Sequence, residues 1–118
     1  ALIVDERQRV LLLRHDYRKE GQWGLPGGQV KAHEKLEDGL ARELREETGL
    51  VVEVGPVIAA SADPVLPRLD LTFRCRVAGG HLKLDAEIAD ARYFALDELP
   101  ADMFEDQIAL IKRVVRNA

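Results

Sequence analysis

Cysteine occurs once, at position 75, so no disulfide can form within the chain. Long apolar runs are missing as well. Stretches such as "VLLL" at Val10–Leu13 fall far short of the roughly 18 residues that span a membrane. No secretory leader is recognisable, and a cytoplasmic setting is the expected one. Basic residues are not in excess: 17 Lys and Arg stand against 21 Asp and Glu, a net charge of −4. That balance excludes the basic field that nonspecific nucleic-acid binding requires, so neither a nucleic acid nor a membrane is an expected partner. An initiator Met is also lacking. The opening "ALIV" reads as the continuation of a longer product, with room for a further strand before it. Repeats, low-complexity tracts and linkers are absent. Residues 1–118 are therefore expected to form one domain around one core.

Hydrophobic residues make up 47% and charged residues 32%, as in an ordinary globular domain. "ALIV" and "RVLLLRH" flank the polar "DERQ", which suggests a hairpin. "DYRKEGQWG" reads as a loop. From Lys35 to Thr48 the pattern is helical, with Leu36, Leu40 and Leu44 spaced on one face. Gly49 stands where a helix end favours positive φ. "LVVEVGPVIAA" reads as a strand and "SADPVLP" as a proline-broken loop. In "RLDLTFRCRV", Leu69, Leu71, Phe73, Cys75 and Val77 alternate with polar residues, as in a half-buried strand. "AGGH" suggests a hairpin turn and "ARYFAL" another strand. "MFEDQIALIKRVVRNA" predicts a closing helix with Phe104, Ile108, Ile111 and Val115 facing the core. Strands mixed with two helices predict a layered α/β or α+β fold.

The chemistry is concentrated in "GGQVKAHEKLEDGLARELREETGL", Gly28 to Leu50. Glu43, Glu46 and Glu47 share one helical face, because offsets of three and four bracket the 3.6-residue turn. Like charges at these spacings repel, and the negative end of the helix dipole repels them again. A solvated acidic face is the bland explanation. A hard divalent cation is the chemical one, since Mg²⁺ takes oxygen ligands and shares them with water and substrate phosphates. "PGG" ahead of the helix offers backbone unobstructed by side chains.

The spacing is Gly28, five residues, Glu34, seven residues, Arg42-Glu43-Leu44, one residue, Glu46-Glu47, one residue, Gly49-Leu50. It resembles the Nudix box, G-x5-E-x7-R-E-U-x-E-E-x-G-U with U apolar, at every fixed position. Seven specified residues at ordinary usage arise by chance about once in 10⁸ start sites, which separates this pattern from a lone glycine loop. "WGLPGG" before the box and "RYFALDELP" after it also look like Nudix surroundings, so the resemblance covers most of the chain. His33 replaces the small turn residue of many members, and Lys35 replaces the usual Ser or Thr at the helix N-cap. Glu37 and Asp38 in the first turn favour the dipole in their place.

The resemblance implies a Nudix-like α/β/α sandwich with a mixed central sheet. It implies hydrolysis of a nucleoside diphosphate linked to another moiety, with Mg²⁺ or Mn²⁺ as cofactor and a small nucleotide as substrate. Carried over residue by residue, Glu46 and Glu47 are metal ligands, helped by the Gly27 carbonyl. Glu43 is a further ligand or the base that activates water. Arg42 orients the neighbouring carboxylates, and Glu34 supports the loop or the base. Some members recruit one more carboxylate downstream, for which Glu87 is the candidate, with Asp85 and Asp90 as rivals. A non-catalytic Nudix-like binding module is the alternative, although such modules are expected to lose box carboxylates that this chain keeps. A homodimer is compatible with the resemblance. Substrate-binding residues are not readable, because the loops at residues 15–24 and 61–68 carry no code. Pro64 and Pro67 stand roughly where ADP-ribose hydrolases of the family tend to carry a proline. Nucleotide sugars, nucleoside triphosphates, including oxidised ones, and dinucleoside polyphosphates remain alternatives.

Other residues suggest less. His15, His33 and His81 share no metal-ligand spacing and read as surface histidines. Cys75 reads as an inert core thiol. Trp23 suits either a stacked base or packing under the "LPGG" loop. "GLPGGQVK" lacks the GK[ST] ending of a phosphate-binding loop.

Overall fold

In a computed structural model of the chain, residues 1–15, 23–62, 64–65 and 67–116 are described. Most of the predicted loop "DYRKEGQWG" therefore lies outside the described residues, as do Asp63, Leu66 and the last two residues. The elements run β1 (Leu2–Ile3), β2 (Val10–His15), β3 (Trp23–Gly24), α1 (Leu36–Thr48), β4 (Leu50–Ala62), β5 (Leu69–Gly80), β6 (Ile88–Phe94), a 3-10 turn at Leu96–Glu98, and α2 (Glu105–Arg116). They build two three-stranded sheets. In one, β1 lies parallel to β5, and β5 lies antiparallel to β4. In the other, β2 is central and antiparallel to both β3 and β6.

Alternating side chains of β1 and β2 go to opposite helices. Ile3 and Leu11 join a buried cluster with Leu44 of α1. Leu2, Val10 and Leu12 join a second cluster with Ile111 and Val115 of α2. This is the α/β/α layering expected from the sequence. It also explains why "VLLL" is a continuous apolar run: a strand covered on both faces has no solvent side to make polar.

Four local expectations need correction. The "DERQ" turn forms, with the Arg7 and Arg9 amides donating to the Asp5 carboxylate at 2.9 and 2.8 Å. It carries a single antiparallel bridge, Val4 to Val10, and then separates the two sheets, because β1 pairs with β5 instead. On α1, Leu40 and Leu44 meet the core, but Leu36 is 45% exposed. Each four-residue step rotates a side chain by about 40° around a 3.6-residue helix, so Leu36 has turned off the stripe that Leu44 occupies. Phe104 is 50% exposed. It immediately precedes α2, its carbonyl accepting from the Gln107 and Ile108 amides at 3.1 Å, and Met103 is the residue buried in the α2 cluster. Finally, "AGGH" does not turn a hairpin. Gly79 and Gly80 still pair with β4, and the next strand, β6, belongs to the other sheet.

Within β5 the alternation holds only centrally, where Phe73 and Cys75 are buried while Leu69 and Val77 are exposed. The end of α1 is fixed more firmly than its start. Lys35 contributes no side-chain cap. At the other end Gly49 takes φ 78°. There the buried Thr48 hydroxyl donates to the Leu44 carbonyl at 2.5 Å and accepts from the Leu50 amide at 3.2 Å. The last turn of α1, which carries the glutamates, is thereby locked to the start of β4.

Candidate functional site

A cleft of about 240 Å³ opens beside that locked turn. Helix α1 lines it with Glu43, Glu46 and Glu47, the connection from β5 to β6 with Asp85 and Glu87, and the strand ends with His15 and Ile88. The glutamates converge because the helical period puts them on one face. The two downstream acids converge because their segment is pinned across the helix end. The Lys83 amide donates to the Thr48 carbonyl at 2.8 Å, and the Asp85 amide to the Glu47 carbonyl at 3.0 Å. These bonds satisfy carbonyls that a helix C-terminus leaves open. A Cβ at Gly49 would collide with the His81 carbonyl, so only glycine permits this crossing.

Behind the cleft, Arg42 gathers the box carboxylates. Its Nε and Nη2 donate to the two oxygens of Glu34 at 2.7 and 3.0 Å. Its Nη1 lies 3.1 Å from Glu43 and 3.0 Å from Glu46. Glu34 also accepts from the Lys31 amide at 2.9 Å. The Arg42 bonds, then the Lys31 amide, hold the Glu34 carboxyl down to about 2, well below the usual carboxylate range. The same contact with Glu34 raises Arg42 above its ordinary value. Two glycines make room for this network. A Cβ on Gly28 would lie 2.5 Å from the Glu43 carboxylate, and one on Gly39 would lie 2.9 Å from Glu34 Oε1.

Of the expected site residues, Glu43, Glu46, Glu47 and Glu87 are brought to one cleft. Arg42 and Glu34 stand behind it, and Gly27 does not line it. Asp85 shares the cleft with Glu87, whereas Asp90 turns away to the Ala91 amide at 2.8 Å and to Arg92 at 2.8 Å. His33 and His81 are exposed as expected. His15 is not: it is 8% exposed and faces the cleft. The sequence did hold a signal for it, since His15 follows Leu11 and Leu13 at period two. Gly39, which admits Glu34, was also missed, although a glycine inside a helical pattern is itself a flag. Cys75 is a buried thiol, as expected, and burial pushes its pKa up. Trp23 packs edge-on against Phe94 with centroids 4.9 Å apart, in the α2-side cluster, so packing describes it.

The acidic donors of the cleft are all carboxylates, the chemistry that Mg²⁺ and Mn²⁺ select. Among the described residues, no three His, Cys, Asp or Glu side chains are already arranged to hold an ion. Mg²⁺ ordinarily keeps waters and shares its remaining positions with phosphate oxygens. The glutamate side chains fit that demand through donor type and common cleft.

The NUDIX domain family matches residues 1–114. The chain is similar to an ADP-ribose pyrophosphatase of Methanocaldococcus jannaschii, 31% identical over 97% of this chain and 70% of the relative. It is also similar to the NAD-capped RNA hydrolase NudC of Stutzerimonas stutzeri, 35% identical over 85% of this chain but only 37% of that protein. The crystal structure of an ADP-ribose pyrophosphatase from Streptococcus suis superposes with a TM-score of 0.76 at 28% identity, covering 98% of this chain and 87% of that one. The chain belongs to the NUDIX family of diphosphate hydrolases.

Proposed function

We propose that the chain hydrolyses nucleoside diphosphate derivatives with the help of a divalent cation, and that ADP-ribose is among its substrates. One observation carries this: Glu43, Glu46, Glu47, Asp85 and Glu87 line a single cleft. A diphosphate is repelled by such a cleft unless cations stand between the two. When bound, Mg²⁺ or Mn²⁺ neutralises the diphosphate, acidifies water and stabilises the leaving oxygen. Glu46 and Glu47 serve as its ligands, with Glu87 or Asp85 closing the site from the other wall. Glu43 is a further ligand or the base that takes the proton from the attacking water. Arg42 positions Glu43 and Glu46, and Glu34 anchors Arg42. Residues 1–118 act as one domain in this account.

The names of two similar proteins support ADP-ribose. The exposed Pro64 and Pro67, on the connection between β4 and β5, agree with it. The test is a panel of ADP-ribose, NAD-capped RNA, nucleoside triphosphates and dinucleoside polyphosphates, each with Mg²⁺ and with Mn²⁺. ADP-ribose should yield AMP and ribose 5-phosphate, and only with added metal. Turnover that persists in excess chelator, or release of a terminal phosphate alone, would contradict the proposal.

A further inference from the structure

The acidic cleft also holds one side chain of a different kind. His15 closes β2 and sits opposite Ile88 of β6. The register of the two strands shifts between Arg14 and His15. Such irregularities re-aim a side chain at sheet ends and beside active sites. The imidazole is more than nine-tenths buried, yet it reaches the cleft wall. Among the described residues, every other polar side chain lining the cleft is a carboxylate. An ionised carboxylate only accepts hydrogen bonds, whereas an imidazole always carries at least one N–H. Among the described residues, Arg42 is held by Glu34, Glu43 and Glu46, and Arg14 lies over the face of Trp23 at 5.9 Å.

We infer that His15 is a substrate-binding residue, donating a hydrogen bond from its ring to a phosphate oxygen of the diphosphate. The inference rests on the function proposed above, and it names the protein group that recognises the phosphate beside the cation. Metal binding remains with the carboxylates. A hydrogen bond to a charged oxygen is among the stronger kinds, so its loss should cost about ten- to a hundredfold in affinity.

The test compares His15→Leu, which fills the site but donates nothing, with His15→Gln, which keeps an N–H donor. Mn²⁺ affinity is measured first, by titration of the intact chain. Binding of a methylene-bridged, non-hydrolysable ADP-ribose analogue is then measured in saturating Mg²⁺. Wild type and both variants should bind Mn²⁺ alike. His15→Leu should bind the analogue about ten- to a hundredfold more weakly, and His15→Gln should recover most of that loss. Analogue binding by a folded His15→Leu at wild-type strength would overturn the inference. So would equal losses in both variants, or weakened Mn²⁺ binding in either, which would make His15 structural or a ligand. If wild type binds Mn²⁺ but not the analogue, the inference falls while the metal site stands. If wild type binds neither, the proposed function has failed and takes this inference with it.

Discussion

The guanidinium of Arg42 explains how Glu43 and Glu46 tolerate one another. Like charges one turn apart cost about 0.2–0.5 kcal/mol per pair. Here a single cation lies within 3.1 Å of both and is itself steadied by Glu34. The sequence led us to expect a missing positive charge; part of it is supplied by the chain. Glu34 carries a pH signature. Its carboxyl, ordinarily near 4.5, is held at about 2 in the folded protein. Between those values the unfolded chain binds the proton and the folded chain does not, so stability falls as pH falls. The contribution is complete above the ordinary value and is lost as pH drops through the depressed one. Urea midpoints measured from pH 6 down to pH 2.5 should therefore decline less steeply in Glu34→Gln than in wild type. Identical slopes would mean that Arg42 does not hold Glu34 in solution. Glu43, Glu46 and Glu47 were legible in the sequence because one helix fixes their spacing, whatever the tertiary fold. His15 and Asp85 were harder, since their places depend on a strand irregularity and on the path of a connecting segment.

Helix α1 has a firm end and a loose beginning, and its leucines should report this. Leu44 is fully buried among Ile3, Leu11 and Phe73. Leu44→Ala should cost roughly 2–5 kcal/mol, the range for truncating a core leucine. Leu36→Ala, at an exposed site, should stay within about 0.5 kcal/mol. Equal losses in urea melts would contradict the packing described. Gly39 gives a sharper contrast. In an exposed helix interior, replacing glycine with alanine gains about 1 kcal/mol. Here the new methyl would lie 2.9 Å from Glu34 Oε1 and 3.1 Å from Val30. Gly39→Ala should forgo that gain and loosen Glu34 from Arg42, visible as a shallower acid limb in the same melts. A more stable variant with an unchanged acid limb would contradict this. Both helices and β2, β4, β5 and β6 were legible as elements from periodicity and from Gly49. Pairing was not. Periodicity says which face is buried, but it does not say that β1 and β6 leave their sequence neighbours for different sheets.

Across the whole molecule, two clusters on opposite faces of the shared strands hold the cleft's walls in place. The connection pinned over the end of α1 adds the second acidic wall. Five carboxylates around one cleft are a liability until a cation arrives, so metal should stabilise the fold. Mass action gives about 2.7 kcal/mol at a ligand concentration one hundred times Kd. Glu47→Gln should leave the metal-free protein as stable as wild type or slightly more so, because it removes one like charge. Calorimetric titration of Mn²⁺ into metal-free wild type, Glu46→Gln and Glu47→Gln tests the central claim most directly. The account predicts saturable binding to wild type and at least tenfold weaker binding to each folded variant. Wild type that binds no Mn²⁺, or variants that bind it as tightly as wild type does, would contradict it.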